Sequence, residues 1–306
     1  MFILRRPHLT RHLPFSRNNR VSSAAAVRHD ATLWTPAPLS LVESAAESLF
    51  HISIDISNSP DLAASYTRPG QYLQLRVPDV ERPSFLAIAS PPSFAAASGA
   101  FEFLVKSIAG STAEILCGLK RGETVELSSV MGNGFDVDQI DPPEEYSTVL
   151  IFATGSGIRF KCTTFSKSVS FNLVTDIASV AYMMLSSISN KVYPIRSLIE
   201  TGFGADRRSD VRLYYGARNL KRMAYQEKFK EWESSGVKVV PVLSQPDDGW
   251  RGETGYVQAA FARAAKQVSD PSATGVVLCG QRQMAEEITA MLVADGVSND
   301  KMLKNF

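Results

Sequence analysis

The sequence predicts a two-domain fold of class β plus α/β, in which an antiparallel β-barrel precedes a domain built on a parallel sheet. Two observations support this prediction. Short runs that alternate apolar and polar residues dominate residues 31–142, and several such runs at close spacing indicate a small barrel. After residue 194, apolar strands alternate with segments of helical spacing, which is typical of a parallel sheet covered by helices on both faces.

The composition is that of an ordinary globular chain. Its 306 residues are 44% hydrophobic and 21% charged, which is enough for two domains with cores of their own. Its three cysteines lie far apart in sequence, and three of its four histidines lie within the first thirty residues. This distribution excludes a four-cysteine iron–sulfur cluster, gives no sign of a disulfide framework and favours no metal site.

The first thirty residues form a basic leader. They carry six arginines, and their first acidic residue is Asp30. Arg-rich, acid-poor starts without a long apolar stretch are typical of organelle transit peptides rather than secretory signals, and a disordered basic tail is the alternative. Removal of residues 1–30 leaves 26 basic and 30 acidic residues, a net charge of −4, which is not the charge pattern of a nucleic-acid-binding protein.

Four runs in the first domain have the period-two pattern of a half-buried strand. They are His51–Ile56, Tyr72–Val77, Phe101–Val105 and Thr124–Leu127. Because each is short and is bounded by turn residues, they predict neighbouring strands of one curved antiparallel sheet.

A helix is predicted between the last two of these strands, within Lys106–Leu119. Its apolar residues at helical spacing are Ile115, Leu116 and Leu119. The helix is entered through Gly110, Ser111 and Thr112, where free backbone N–H groups and hydroxyls can bind a phosphate. Ordinary capping of the helix N-terminus is the alternative interpretation.

A glycine turn follows the apolar strand Val149–Phe152. The turn residues are Thr154, Gly155, Ser156, Gly157 and Ile158. A helix is predicted from Pro194, since proline suits the first helical position and Ile195, Leu198 and Ile199 follow at helical spacing. A strand, a glycine turn and a helix N-terminus together make an anion site for a pyrophosphate, although many such junctions are only structural.

Joined across residues 159–193, this turn and Pro194-Ile-Arg-Ser resemble the nicotinamide-nucleotide signature of the ferredoxin–NADP reductase family. In the first domain, five further segments occur in the order of that family's FAD-binding barrel: Pro69–Tyr72, Phe85–Ser90, Gly110–Ala113, Gly122–Val125 and Gly132–Phe135. The resemblance is closest to plant chloroplast FAD/NAD(P)-binding oxidoreductases. It implies an FAD-binding antiparallel β-barrel over residues 31–143 and a Rossmann-like NAD(P)-binding domain over residues 144–306.

The resemblance also implies where a flavin binds. The residues expected to line the isoalloxazine and the ribityl chain are Phe85, Leu86, Ala87, Ile88, Ala89 and Ser90, and Gly110–Thr112 is expected to bind phosphate. The chain departs from the family pattern, because Ser84 stands where the phosphate-pairing arginine belongs and Leu86 where the flavin-stacking tyrosine belongs. Arg82 lies on the same strand face as Ser84 and is the candidate to reach the phosphate. FAD is expected, with FMN as the alternative.

Strands and helices alternate in the second domain. The strands are Val211–Tyr215, Val237–Leu243 and Thr274–Cys279, and the helices are Met223–Ser234, Tyr256–Val268 and one from about Gln283. Ligands of such sheets bind at the carboxyl ends of the strands. By the resemblance, Arg218 contacts the adenosine side of the dinucleotide. Its guanidinium can pair a 2′-phosphate or merely cap the strand end, so NADP and NAD both stay open.

Three further positions follow from the resemblance. Cys279 and Gly280 correspond to the segment that sits against the nicotinamide, and Cys279 is expected to position rather than attack, because no paired histidine activates it. Phe306 corresponds to a terminal aromatic residue that covers the flavin. The alternative for Phe306 is a buried position in a last strand, Lys301–Phe306.

Residues 159–193 match nothing in the family pattern. Their apolar run, Phe171–Ile188, contains Asp176 and is at the lower limit of length for a membrane span, so no span is expected. We interpret the 35 residues as a retained intron or a gene-model error, with a family-specific loop as the alternative. Either origin threatens the coupling between the glycine turn and the helix that follows.

The function implied is hydride transfer between NAD(P)H and an acceptor through FAD. Ferredoxin, a heme protein and a small quinone all fit as the electron acceptor, and the leader indicates the chloroplast, with the mitochondrion as the alternative. Two other functions are compatible with the sequence. One is a splice form with impaired nucleotide binding that retains only a flavin-binding module, and the other is an electron-transfer subunit that needs an iron–sulfur partner.

Overall fold

The structure, a computed structural model, describes residues 33–80, 82–155, 193–264 and 268–304. These residues belong to one compact unit, Leu33–Phe306, while the other unit, Met1–Thr32, lies outside the described residues. The predicted transit peptide and the chloroplast localisation therefore stay predictions. The interruption at 159–193 also lies outside the described residues, except for Tyr193. Among the helices that the structure describes, none has the length and apolar character to cross a membrane.

Six antiparallel strands form the first sheet, in the order β4-β3-β6-β1-β2-β5. They are β1 (Thr35–Ala46), β2 (Leu49–Asp55), β3 (Tyr72–Arg76), β4 (Ser84–Ala87), β5 (Ala100–Lys106) and β6 (Thr124–Leu127). All four strands predicted from alternation are confirmed. The long strand β1 escaped prediction because only Ala37 and Leu39 along it are buried, so it lacks a clear period of two.

The first sheet curls without closing into a ladder. Its edges approach each other where Ala89 N–H, two residues after β4, donates to the carbonyl of Glu102 in β5 (2.8 Å). Leu73 of β3 and Leu86 of β4 are register partners and point into the same apolar core. The predicted barrel is therefore confirmed as an antiparallel sheet that is barrel-like but not closed. Three helices accompany it, α1 (Pro60–Ser65), α2 (Pro92–Ser98) and α3 (Thr112–Gly118).

Six parallel strands form the second sheet, in the order β10-β9-β8-β7-β11-β12. They are β7 (Thr148–Thr154), β8 (Asp210–Ala217), β9 (Val237–Leu243), β10 (Glu253–Thr254), β11 (Thr274–Cys279) and β12 (Met302–Lys304). The helices are α4 (Tyr193–Thr201), α5 (Phe229–Ser234), α6 (Val257–Arg263) and α7 (Arg282–Ala294). Residues of β7 pack alternately against two apolar clusters, one on each face of the sheet, as predicted for a sheet covered on both sides.

Three helix predictions need correction. The helix predicted over Tyr256–Val268 is too long, since α6 ends at Arg263 and Ala264 is already extended. The predicted helix Met223–Ser234 is wrong in its first half, since α5 begins only at Phe229. Tyr225 has a φ of 62°, a left-handed conformation that an α-helix does not accommodate, and short 3-10 turns lie on either side of it. In α3, Leu116 is buried as expected but Ile115 is 46% exposed.

One apolar cluster joins the two halves of the described structure. From the first half it contains Ala87, Ala89, Leu104 and Phe135. From the second half it contains residues of β7, β8, β11 and α4, among them Ile195 and Leu198, which are each 1% exposed. Helix α4 thus packs within a core that both sheets share, and the apolar spacing predicted from Pro194 onward is confirmed.

Candidate functional site

The carboxyl ends of β7, β8 and β11 meet at one edge of the parallel sheet, where their backbones approach closely. Gly155 N–H donates to the carbonyl of Gly216 (3.1 Å). A Cβ atom at Gly280 would overlap Thr154 Oγ1 and lie 2.8 Å from Met284 Cε, and a Cβ at Gly216 would lie 2.8 Å from Val257 Cγ1. A larger residue at either position would therefore displace these neighbours, and glycine allows the strand ends to pack closely against them.

A cavity of about 510 Å³ opens at this edge. On the side of β8 and β9 it is lined by Arg218, Ser244 and Gln245. On the side of the helices it is lined at the start of α6 by Tyr256 and Gln258, and in the first two turns of α7 by Gln283 and Glu287. This volume lies within the usual range for a small-molecule or cofactor site, and a cavity at the carboxyl ends of parallel strands is the usual place for a nucleotide.

Aromatic stacking fixes α6 against the sheet beneath the cavity. The rings of Phe152 and Tyr214 stack with centroids 5.2 Å apart, and Phe261 of α6 meets both edge-on at 5.1 and 5.6 Å. Because Phe261 is fully buried in this cluster, the first turn of α6, with Tyr256 and Gln258, is held at the mouth of the cavity.

The structure brings together part of the predicted nucleotide site. Thr154, Gly155 and Arg218 all line the cavity, whereas Gly280 is buried behind them and packs against Thr154. Cys279 is fully buried in the shared core on the α4 face of the sheet. Ser156, Gly157, Ile158 and Phe306 lie outside the described residues. The contacts of these residues with a cofactor stay predictions.

The predicted flavin phosphate residues also come together. Thr112 Oγ1 donates to the backbone carbonyl of Arg82 (2.7 Å), which places Arg82 beside the first residue of α3. At that helix end, Ser111 Oγ accepts from Glu114 N–H (3.3 Å) and the Glu114 carboxylate accepts from Gly110 N–H (2.7 Å). Because Gly110 precedes the N-cap residue Ser111, the two bonds form a variant of a capping box, and ordinary capping, the alternative named for this turn, is present. A phosphate bound here would compete with the Glu114 carboxylate for the Gly110 amide.

The predicted flavin-lining residues divide into two groups by burial. Ser84 and Phe85 are half-buried, and the Phe85 ring pairs with Tyr72 at a centroid distance of 6.1 Å. The others are covered by protein: Leu86, Ala87, Ile88, Ala89 and Ser90. As predicted, Phe85 and Leu86 point to opposite faces, since Leu86 lies in the apolar core of the first sheet. The half-buried Tyr72 and Phe85 rings are the aromatic surface available to a flavin.

A buried polar network connects the two halves beside α4. Arg196 of α4, whose side chain is 8% exposed, donates to Glu102 of β5 (2.7 Å) and to Glu200 one turn along the helix (3.0 Å). The Tyr66 hydroxyl pairs with Ser197 Oγ (2.7 Å) and donates to the carbonyl of Ser90 (2.8 Å). These contacts fix α4 against the first sheet by bonds other than the covalent connection to β7.

His51 extends this network away from α4. Its Nδ1 lies 3.3 Å from Glu43 Oε1, and its Nε2 lies 3.5 Å from Glu102 Oε1, an electrostatic contact rather than a hydrogen bond of good geometry. Burial favours the neutral imidazole, but the neighbouring Glu102 and Glu43 carboxylates outweigh burial and raise the pKa of His51. Burial of Glu102 likewise opposes its ionisation, yet His51 and Arg196 lower its pKa.

We expect the His51→Gln variant to lose more stability at low pH than at high pH. A pKa raised by folding stabilises the folded state fully below the unfolded value of about 6.5, and this contribution is lost as the pH rises through the folded value. Urea unfolding at pH 5.5 and pH 8.5 measures the difference between the variant and the wild type at each pH.

The control for this test is His29→Gln, which removes a histidine from the leader. It should not change the pH dependence of the unfolding free energy. An equal loss at both pH values in His51→Gln would show that packing, rather than the charge of His51, accounts for its contribution.

Several residues of the cavity were not predicted from the sequence. Tyr256, Gln258 and Glu287 line it, but none of them belongs to a predicted strand end or glycine turn. For Tyr256 alone, the sequence contains an indication: Gly255 precedes a predicted helix start, which places Tyr256 at the same sheet edge as Thr154. Arg196, Glu102 and His51 could not be paired from sequence spacing.

Comparisons with known proteins agree with this architecture. A family model described as an oxidoreductase NAD-binding domain matches residues 192–290, so the match begins where the interruption ends. A fruit protein of Actinidia deliciosa, pKIWI502, is 45% identical over 310 residues, which covers 98% of this chain and 86% of that protein.

Two solved structures show the same fold. The CS-b5R domains of human Ncb5or, in an NAD⁺ form, superpose with a TM-score of 0.64 at 17% identity, over 91% of this chain and 71% of that one. A ferredoxin NADP⁺ reductase from Neisseria gonorrhoeae, with bound FAD and NADP, superposes with a TM-score of 0.62 at 14% identity, over 89% of this chain and 99% of that one. At these identities the likeness concerns the fold alone.

Proposed function

Because this chain belongs to the ferredoxin–NADP reductase-type flavoprotein family, we propose that it is an FAD-dependent oxidoreductase that carries electrons between NAD(P)H and an acceptor. The observation that carries the proposal is the cavity at the carboxyl ends of β7, β8 and β11, where Gly216 and Gly280 allow the strand ends to pack closely. FAD, when bound, supplies the chemistry of accepting a hydride and releasing electrons one at a time.

The residues around the cavity fit a dinucleotide. Thr154, Gly155 and Gly216 line the cavity at the strand ends, while Arg218 provides a cation at the β8 side. A guanidinium at this position suits a phosphate, because its planar fork donates two parallel hydrogen bonds to two phosphate oxygens. The role of the chain here is to bind and orient the dinucleotide across the sheet edge.

The first sheet offers a fit for the flavin at two places. The Tyr72 and Phe85 rings present aromatic surface, and the Arg82 backbone lies beside the start of α3. Among the described residues, no hydrogen bond occupies the amides of Thr112 and Ala113, so these N–H groups remain as donors next to Arg82. We infer that Arg82, rather than Ser84, supplies the cationic partner for an FAD phosphate.

Anaerobic titration of the purified full chain with NADPH and with NADH tests the proposal. We expect the isolated protein to have the absorption bands of an oxidised flavin and to lose the band near about 450 nm on addition of at least one of the two nucleotides. Acid extraction followed by chromatography identifies the bound flavin as FAD or FMN.

The titration and the flavin extraction distinguish the proposal from its alternatives. A colourless protein that takes up neither FAD nor FMN would refute the flavoprotein proposal. A yellow protein that neither nucleotide reduces would refute the oxidoreductase proposal for this chain and would favour the flavin-binding module named as its alternative. Ferredoxin, a heme protein and a small quinone, supplied separately to the reduced protein, distinguish the three classes of acceptor.

A further inference from the structure

The turn between β1 and β2 brings a carboxylate of the first half to the segment that follows β8. Glu47 lies in this turn, and its backbone N–H donates to the carbonyl of Lys221 (2.7 Å). Its carboxylate Oε1 accepts a hydrogen bond from Arg222 Nη2 (2.5 Å). One backbone hydrogen bond and one ion pair therefore hold Glu47 against a loop of the second half.

This loop connects Glu47 with the nucleotide cavity. Arg218, four residues before Arg222, lines the cavity at the end of β8. The pKa of Glu47 is lowered most by its hydrogen bond to Arg222, and the charges of Lys221 and Arg218 lower it further. The influence is mutual, because a carboxylate that interacts with these three cations offsets part of their positive potential.

Positive charge is dense on this side of the cavity. At the end of β5, burial lowers the pKa of the Lys106 ammonium, and the charges of Arg222 and Arg218 lower it further, so Lys106 lies close to the same loop. Lys106, Arg218, Lys221 and Arg222 thus form a group of cations, and Glu47 lies within this group as a counterion. An anion bound beside Arg218 meets a positive potential that Glu47 weakens.

The cavity suits the adenosine half of a nicotinamide dinucleotide. Among the described residues, α6 and α7 pack in an apolar cluster of second-half residues, whereas the cluster on the opposite face of the sheet contains residues of both halves. The nicotinamide has to meet a flavin that the first half binds, so the half of the dinucleotide near the starts of α6 and α7 is the adenosine. NADP differs from NAD in this half alone, by a phosphate on the 2′ oxygen of the ribose.

We propose that Glu47 is a specificity residue that weakens the binding of a 2′-phosphate at this cavity and shifts the preference of the chain from NADPH toward NADH. This inference rests on the proposed function, since it concerns which of the two nucleotides the same cavity favours. A phosphate monoester carries almost two negative charges at neutral pH. NADP therefore loses more affinity than NAD through the carboxylate of Glu47.

Binding of two adenosine fragments to the full-length protein tests this role without turnover. The probes are 5′-AMP and 2′,5′-ADP, which differ only by the 2′-phosphate, and calorimetry measures their affinities for the wild type, Glu47→Gln and Glu47→Lys. Glu47 is 44% exposed, so the titrations are done at about 20 mM salt, where screening is weak. A parallel series at about 0.5 M salt should bring the affinities of the variants close to those of the wild type.

We expect a graded response to the charge at position 47. Glu47→Gln should tighten 2′,5′-ADP about threefold relative to 5′-AMP, the effect of removing a unit charge roughly 10 Å from a phosphate in water. Glu47→Lys reverses the charge, and it should tighten 2′,5′-ADP about tenfold relative to 5′-AMP. Such an order follows charge, whereas a structural disturbance of the turn would weaken both fragments.

The matched control is Glu144→Gln. Glu144 is 65% exposed and lies 3.7 Å from Arg207, but it precedes the first residue of β7 and so lies at the amino edge of the parallel sheet, opposite to the cavity. This variant should keep the wild-type ratio of the two affinities.

Two results would overturn the specificity role and leave the proposed function intact. One is an unchanged ratio of the two affinities in both Glu47 variants. The other is an equal change for both fragments, which would mean that Glu47 acts on the 5′-phosphate they share or on the fold of the turn. If the wild type binds neither fragment, the proposed function itself fails.

Discussion

Replacement of Arg196 by methionine should lower the free energy of unfolding by about 3–5 kcal/mol, the usual cost of breaking a buried ion pair. The Arg196, Glu102 and Glu200 side chains are 8%, 13% and 15% exposed. Methionine fills much of the same space but donates no hydrogen bond, so both carboxylates would stay buried without the cation between them. Urea unfolding, followed by the fluorescence of the buried Trp232 and by circular dichroism, measures the loss.

Arg282→Met is the matched control, because Arg282 also pairs with a glutamate one turn along its helix but is 70% exposed. The exposed pair should contribute at most about 0.5 kcal/mol. Adding Glu102→Gln to Arg196→Met should restore part of the stability, since one of the two carboxylates that lost Arg196 is then replaced by a neutral amide. A loss below about 1 kcal/mol in Arg196→Met would show that water or other side chains compensate the two carboxylates.

Substitution of Gly280 by alanine should reduce the kcat/KM for NAD(P)H by about 100-fold, the scale of a misplacement of about 1 Å at a reacting centre. The new methyl group would overlap Thr154 Oγ1 and lie 2.8 Å from Met284 Cε. Either Thr154 or the end of β11 must then move, and because Thr154 lines the cavity, the shape of the cavity changes with it. Stopped-flow reduction of the flavin by NADPH and NADH measures the effect.

The control for Gly280→Ala is Gly249→Ala, since no atom lies within 4 Å of a Cβ placed at Gly249. That variant should be reduced at the wild-type rate. Removing the hydroxyl with a second substitution, Thr154→Ala, should recover part of the activity lost in Gly280→Ala. Wild-type kinetics in Gly280→Ala alone would mean that the reacting end of the nucleotide does not depend on this contact.

A strand was predicted with accurate ends where every side chain along it has the same degree of burial. β11 begins and ends at the predicted residues, Thr274 and Cys279, because every side chain between them is buried. The helix proposed for Met223–Ser234 failed for the opposite reason. The conformation of Tyr225 accompanies a tertiary contact, in which its ring lies 5.3 Å from the Arg196 guanidinium, and no local pattern indicates that contact.

Among the residues of the candidate site, those at strand ends could be predicted from the sequence, and those that meet through packing of different elements could not. Thr154, Gly155 and Arg218 follow directly from strand ends, and the topology of a parallel sheet brings strand ends to one edge. The Gln283–Glu287 pair has the four-residue spacing of helical neighbours, but its partner Gln258 lies 29 residues away from Glu287 on another helix. Sequence spacing shows neighbours within one element, whereas contacts between elements depend on how the elements pack.

The core shared by the two halves limits how ligands can enter and leave. Ala89 of the first half and Leu198 of the second belong to one buried cluster, and the Arg196–Glu102 ion pair lies beside it. A hinge motion that separated the halves as rigid bodies would hydrate this cluster and pull apart the ion pair at once. Exchange of nucleotide is therefore expected through small local displacements at the sheet edge, around Tyr256 and the first turns of α6 and α7, while the two halves stay together.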